Sequence, residues 1–162
     1  MKEMMHKQAY LKLLYMALLS FASMYILMYA MVNQFANVYP NINQFYMAGL
    51  MTMPMVLIEM IVMSSMYMDK NRNKLIIILS FIALVVFFLL IRYQSAVSDK
   101  QFLKSMIPHH AAAILMCQET KIKDPEIKAL CSNIISSQQQ EIDQMKTLLN
   151  KSNVNWNLLK LI

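Results

Sequence analysis

Three long apolar runs, separated by short polar connections, constrain this chain more than any other feature. They cover residues 11–32, 46–67 and 75–91. A helix needs about twenty apolar residues to cross the hydrocarbon core of a bilayer, and the third run lies at the short end of that range. Hydrophobic residues make up 58% of the chain and charged residues 15%, against roughly 45–50% and about 25% in soluble domains. The sequence therefore predicts an all-α protein with three transmembrane helices.

Basic residues predict the orientation of these spans, because loops rich in lysine and arginine stay on the cytoplasmic side. Six of them flank the runs: Lys2, Lys7, Lys12, Lys70, Arg72 and Lys74. The connection over residues 33–45 carries no charge. We therefore expect a bacterial inner (cytoplasmic) membrane protein with a cytoplasmic N-terminus and a periplasmic or extracellular C-terminal segment. The first run is long for a signal peptide and lacks a clear cleavage site, so we interpret it as a retained span.

The net charge of +6 mostly records this topology. The basic residues are divided between the two sides of the bilayer and form no patch interleaved with aromatic residues. The sequence therefore predicts a lipid bilayer, and no nucleic acid, as a partner.

Helix-start signals divide the polar C-terminal part into two helices. Ser98 and Gln101 have the spacing of a capping box, and Asp124 followed by Pro125 combines a capping acid with a proline at the first helical position. Pro108 should kink or restart the first helix. We expect a membrane domain over 1–96, an extracytoplasmic helical hairpin over 97–150 and a tail over 151–162, in which Trp156 and neighbouring apolar residues suggest interfacial packing.

Apolar spacing predicts which faces of the two helices are buried. The first helix carries one stripe with a second beside it: Leu103, Ile107, His110, Ile114 and Cys117, then Phe102, Met106, His109, Ala113 and Met116. The second helix carries the corresponding stripe of Ile127, Leu130, Ile134, Gln138, Glu141, Met145 and Leu148. In an antiparallel hairpin His110 should face about Gln138, with Glu141 one turn further along. Since unpaired buried polar groups cost roughly 1–3 kcal/mol each, we expect them to satisfy one another or a ligand.

Two adjacent histidines are the most unusual polar feature. His109 and His110 account for two of the three histidines in the chain, and Met106 lies one turn before His110. A soft or borderline metal such as copper favours this mixture of imidazole nitrogen and thioether sulfur. The alternative is that the imidazoles cap backbone groups and bond Glu141.

The same residues resemble a known family. Met106-Ile107-Pro108-His109-His110, then Ala113-Ile114-x-Met116, and later Gln138-x-x-Glu141-Ile142-x-x-Met145, resemble the domain of unknown function 305 family over about residues 98–150. The resemblance implies an exported or membrane-anchored protein with a ferritin-like helical fold, in a family in which some members bind copper. It implies a ligand set for Cu(I) of His109, His110, Met106, Met116 and Met145, supported by Gln138 and Glu141. Many relatives hold two hairpins, whereas this chain has one and so represents half of a four-helix bundle.

Two cysteines lie at nearly equal distances from the predicted turn. Cys117 and Cys131 can form a disulfide in an oxidising exterior, bind copper(I) as reduced thiols, or remain buried as small apolar side chains. The sequence leaves these three interpretations open.

The apolar runs contain a second candidate site. Glu59 lies near the middle of the second predicted span, where a carboxylate is costly and normally faces a partner or a cavity. The chain has 18 methionines, several of them in the spans, and they serve either as flexible filler or as a thioether path for a metal.

The leading hypothesis is a membrane-anchored, outward-facing protein that binds copper or confers copper tolerance. The alternatives are a structural or adaptor subunit without metal and a metal transporter that acts through Glu59 and the intramembrane methionines. No enzyme is predicted, because no acid lies three residues before His109 or His110, as a di-iron centre requires, and no nucleophile has an evident base. A hairpin of about fifty-five residues has too little core to stand alone, so we expect a homodimer or higher homo-oligomer, or packing against the chain's own spans.

Overall fold

The computed structural model describes residues 2–159, and the side chains of residues 8–152. This part of the chain is helical and contains no strand, which confirms the all-α prediction. The helices are α1 (Lys2–Leu27), α2 (Ile42–Val62), α3 (Lys70–Arg92), α4 (Asp99–Glu119) and α5 (Pro125–Leu159). They belong to two compact units, one with α1, α2 and α3, and one with α4, α5 and the connection over residues 29–42.

Three helices of the described chain are long and apolar enough to cross a bilayer. These candidate spans are Gln8–Met31, Ile42–Val62 and Lys70–Arg92. Their number and order match the prediction, but the second begins four residues earlier and ends five residues earlier than the predicted 46–67. The apolar run continues past the end of α2 into a short 3₁₀ turn at Ser64–Met66.

The third span starts before its apolar run because Asp69 caps it. The Asp69 carboxylate accepts hydrogen bonds from the backbone N–H groups of Asn71 and Arg72, at 3.1 and 3.0 Å. These bonds satisfy two of the free donors that every helix start leaves. The polar first turn therefore belongs to α3, although it is not part of the apolar run from which the span was predicted.

In the first unit a small core joins α1 and α2 to the turn that follows α2. Ala9 and Leu13 pack with Val56, Met60 and Tyr67. Apart from this core, α1 and α3 leave most of their large apolar side chains exposed, for example Leu19 at 68% and Phe81 at 59%. A soluble monomer rarely exposes apolar patches of this extent.

In the second unit α4 begins as predicted and passes through Pro108 without a break. The Ser98 hydroxyl accepts a hydrogen bond from the Gln101 backbone N–H at 3.4 Å. Of the two outcomes expected at Pro108, the restart of the helix is wrong, and the kink stays a prediction. Proline at this position leaves the Lys104 carbonyl without its helical donor, and the Asn41 side-chain amide donates to that carbonyl at 3.5 Å.

Helix α5 starts at the predicted signal and extends further than predicted. The Asp124 carboxylate accepts from the backbone N–H groups of Glu126 and Ile127, at 2.8 and 3.2 Å. The helix continues to Leu159 rather than ending near Asn150. The predicted packing of the Trp156 side chain lies outside the described residues, as do residues 160–162.

The core of the second unit lies between α4 and α5. It consists of Ile107, Ala111, Ile114, Ile142, Met145 and Leu149. The predicted stripe of α4 is largely correct. That of α5 is correct at Met145, which is buried in this core, but wrong at Ile127, Leu130 and Leu148, which are exposed at 44–57%. Two apolar sets run side by side along α5, and the set one residue later, which contains Ile142 and Leu149, faces α4.

The connection between α1 and α2 is part of this second unit. Val32 and Tyr39 pack against the α4–α5 core. The Gln101 side chain accepts a hydrogen bond from the Ile42 N–H at 3.0 Å, and fully buried Asn37 donates to Asn33 at 2.8 Å. The first half of α4 is therefore held on two sides, by α5 and by this connection.

Candidate metal centre

His110 has the most contacts of the candidate ligands in the second unit. It is 6% exposed, and both of its ring nitrogens have partners. Nδ1 lies 2.9 Å from the Met106 carbonyl oxygen, one turn earlier in α4. Nε2 lies 2.6 Å from Glu141 Oε2 on α5. The imidazole therefore bridges the two helices in a fixed orientation.

These contacts determine the tautomer of His110. A carbonyl oxygen only accepts hydrogen bonds, so Nδ1 carries a hydrogen and donates it to Met106. Nε2 is then the ring nitrogen that faces the Glu141 carboxyl group, so the carboxyl group stands where a metal ion bound at Nε2 would lie.

Glu141, and not Gln138, is the residue that meets His110. Helical side chains tilt toward the N-terminus of their own helix. In this antiparallel pair the His110 side chain therefore leans away from the connection between the helices, and that of Glu141 leans toward it. Long side chains thus meet when their Cα atoms are further apart in sequence than the register of short side chains indicates. Cys117 faces Cys131, but His110 reaches Glu141. The expected register holds for the cysteines and is off by three residues for the histidine.

His109 lies next to His110 but on a different side of α4. It is exposed, and the centroids of the two imidazole rings are 6.2 Å apart, with an angle of 63° between the ring planes. Successive residues of a helix point in directions about 100° apart. His110 thus faces α5, whereas the ring of His109 is open to the solvent.

The predicted sulfur ligands divide into two groups. Met145 is buried in the α4–α5 core, and Met106 packs against that core. Met116 is 50% exposed, and Gln138 is half-buried on α5. The structure thus places Met106 and Met145 in the same part of the helix pair as His110, but not Met116.

Cys117 and Cys131 form a disulfide, with their Cα atoms 5.3 Å apart. Of the three interpretations that the sequence left open, the structure contains this one, in which the sulfurs are not thiolate ligands. Among residues 8–152, whose side chains the structure describes, no group of three or more His, Cys, Asp or Glu side chains is placed to hold one ion. A metal centre at His110 must therefore use the second histidine or the methionines.

Glu59 lies in a different setting from the one predicted. It is in the last turn of α2, which ends at Val62, and not in the middle of a span. The Tyr67 hydroxyl donates a hydrogen bond to Glu59 Oε1 at 3.2 Å. A carboxylate one turn from the helix end has a smaller desolvation cost than one at the bilayer centre, so this position supports a transport role less strongly than the expected one, and the transporter alternative stays a prediction.

Sequence reasoning missed the connection over 29–42 as a support of this centre. Asn41 and Gln101 tie it to the turn of α4 that precedes His110. No local signal in the sequence could have found it, because Asn41 and Lys104 are 63 residues apart.

Comparison with known proteins agrees with the motifs of α4 and α5. The family model described as Domain of unknown function (DUF305) matches residues 89–149. An uncharacterized protein of Acanthamoeba polyphaga mimivirus is 37% identical over 142 residues, which cover 86% of this chain and 91% of that protein. This similarity extends well beyond α4 and α5. No solved structure gives a significant match.

Proposed function

This chain belongs to the domain of unknown function 305 family, and from that premise we propose that it is a membrane-anchored protein that binds copper(I) at the start of α4. The ion is held by His110 and His109, with thioether sulfur from Met106 or Met145. Gln138 and Glu141 surround the ligands. The function is copper binding or copper tolerance, without catalysis.

The orientation of His110 is the observation that carries the proposal. Histidines that bind metals usually donate their second ring N–H to a carboxylate or a backbone carbonyl, which fixes the tautomer and the ring. The Nδ1 contact with the Met106 carbonyl is of this kind. It leaves Nε2 as the nitrogen with a lone pair for an ion, and Glu141 can yield that position because its side chain is 53% exposed.

The donor set fits copper(I) in chemistry. The His109 and His110 ring centroids are 6.2 Å apart, and the exposed ring of His109 has room to turn toward an ion bound at His110 Nε2. Uncharged imidazole and thioether donors suit a soft monovalent ion, whereas harder ions prefer oxygen.

Several features support anchoring in a membrane with α4 and α5 on the outer side. The exposed apolar side chains of α1 and α3 suit contact with lipid. The Cys117–Cys131 disulfide suits an oxidising compartment. The 29–42 connection packs in one unit with α4 and α5, which requires both to lie on the same side, as three successive crossings of the bilayer predict.

The direct test is a copper(I) competition titration of the full-length protein in detergent, with ascorbate as a reductant that leaves the disulfide intact. We expect His109→Ala/His110→Ala to weaken copper binding by more than about tenfold. Changing a residue that only orients a metal ligand already lowers metal affinity by about tenfold or more. Gln118→Ala on the exposed side of α4 and Met28→Leu outside the centre serve as matched controls. Unchanged affinity in the double histidine variant contradicts the proposed site.

A second candidate function follows from the same bond. Since both nitrogens of His110 have partners, the His110–Glu141 pair can act purely as a bridge that holds α4 to α5 in a structural or adaptor subunit. Under this alternative, His110→Ala lowers the stability of the helix pair, while copper binding is absent from the wild type as well. The titration of the wild-type protein therefore separates the two functions.

A further inference from the structure

A cavity lies beside the disulfide, at the end of the helix pair that is next to the 120–124 connection. Its volume is about 310 Å³, and its lining includes both cysteines, Thr120, Lys128 and Ser132. Neither cysteine is fully buried. A small reagent in this cavity can therefore reach the sulfur atoms, which it could not do if the disulfide were enclosed in a core.

Lys128, an exposed residue of α5, belongs to the lining of the same cavity and gives it a positive charge. A nearby lysine favours the thiolate form of cysteine, and the thiolate is both the nucleophile and the metal ligand. One copper(I) ion bound by two thiolates carries a net charge of −1, which the Lys128 ammonium offsets. The surroundings of the disulfide thus suit its reduced form as well as its oxidised form.

We propose that Cys117 and Cys131 form a second copper(I) site that the disulfide closes and that a thiol reductant opens. A thiolate of the reductant attacks one Sγ, the Sγ–Sγ bond breaks and the other sulfur leaves as a thiolate. A second reductant thiol cleaves the mixed disulfide, so two electrons pass to the protein and the reductant becomes a disulfide. Copper(I) then replaces the two thiol protons, which pass to solvent.

The geometry favours a two-coordinate soft ion over zinc. With metal–sulfur bonds of about 2.3 Å, as for zinc, two sulfurs on opposite sides of one ion lie about 4.6 Å apart. Side chains whose Cα atoms are 5.3 Å apart reach this separation by rotation about χ1. Structural zinc takes four ligands, but the described residues supply no third His, Cys, Asp or Glu here. Thiolates select copper(I) among soft ions.

The two sites are separate. Cys117 follows His110 by seven residues, or about 10 Å along a helix at 1.5 Å per residue. The cysteine site therefore does not depend on the histidine site, and a variant of one leaves the ligands of the other in place.

The test compares oxidised and reduced full-length protein in detergent. The protein is reduced with a small dithiol, the dithiol is removed by anaerobic gel filtration, and copper retained after a challenge with a chelator is measured per chain. We expect the reduced wild type to retain one more copper than the oxidised form, with a thiolate-to-copper ultraviolet band. The extra ion should persist in His109→Ala/His110→Ala and disappear in Cys117→Ser/Cys131→Ser.

Three results overturn the proposal. They are equal copper retention by the oxidised and reduced wild type, retention of the extra ion by the double serine variant, and loss of helix content on reduction without copper uptake. Circular dichroism of the same samples reports the helix content. Because the reduced wild type is itself the test, a folding defect of the serine variant does not affect the conclusion. If the histidine site alone fails to bind copper, the proposed function is contradicted, but the proposal of a cysteine site is not.

Discussion

Removing the Glu141 carboxylate should loosen the contact between α4 and α5 by a predictable amount. In Glu141→Ala the Nε2 atom of His110, whose side chain is only 8% exposed, loses its 2.6 Å partner. Hydrogen bonds to charged groups contribute about 1.5–3 kcal/mol. Because the Glu141 side chain is 53% exposed and thus screened by solvent, we expect a cost near the lower end, about 1–2 kcal/mol.

The matched variant Glu141→Gln should cost less. Its amide N–H can donate to the Nε2 lone pair while Nδ1 still donates to Met106, so a neutral hydrogen bond of about 1 kcal/mol remains. A second control is Asp143→Ala, which removes an exposed carboxylate whose partner is Gln139, at 3.1 Å.

Hydrogen exchange measured by mass spectrometry on the full-length protein provides the assay. A cost of about 1–2 kcal/mol corresponds to a factor of about 5–30 in an equilibrium constant, so protection of α4 amides around His110 should fall by this factor in Glu141→Ala. The Asp143→Ala variant should match the wild type. The account of the His110–Glu141 bridge is refuted by wild-type protection in Glu141→Ala, or by equal losses in the alanine and glutamine variants.

Three further predictions concern the disulfide, the orientation and the assembly. Reducing the disulfide between Cys117 and Cys131, which are 14 residues apart in sequence, should lower the free energy of unfolding of the helix pair by about 3 kcal/mol, measured by hydrogen exchange. A decrease below about 1 kcal/mol contradicts the chain-entropy model of this disulfide. An impermeant thiol label added outside intact cells should react with a cysteine at Phe35, which is 90% exposed, and not with one at Asn71. The opposite labelling pattern contradicts the predicted orientation in the membrane. Because Leu130 on α5 is 57% exposed, a cysteine there should cross-link two copies in detergent, and a monomeric particle without such a link excludes the expected homodimer.

The helix boundaries that depend on local chemistry could be predicted from the sequence. Ser98 and Asp124 cap α4 and α5 as expected, because their partners lie within three residues. The α5 face could not be assigned in the same way, since Ile134 and Ile135, like Leu148 and Leu149, offer adjacent apolar residues. Which of two neighbouring stripes is buried depends on the partner helix, and spacing along one helix does not contain that information.

The candidate site could be predicted in part. Polar residues at buried positions indicated that His110 meets an acidic or amide side chain of α5, and the structure pairs it with Glu141. The role of the 29–42 connection could not be predicted, because Asn41 and Lys104 are 63 residues apart and their contact has no local signature. Glu59 was misplaced because an apolar run shows where a span can lie, and not where the helix ends.

X-ray absorption at the copper edge of the full-length, copper(I)-loaded protein, with its disulfide intact, identifies the atoms that bind the ion. The account predicts imidazole nitrogen and thioether sulfur around the ion, with the imidazole scattering lost in His109→Ala/His110→Ala. A copper environment without imidazole in the wild type, or one that the double histidine variant leaves unchanged, contradicts it.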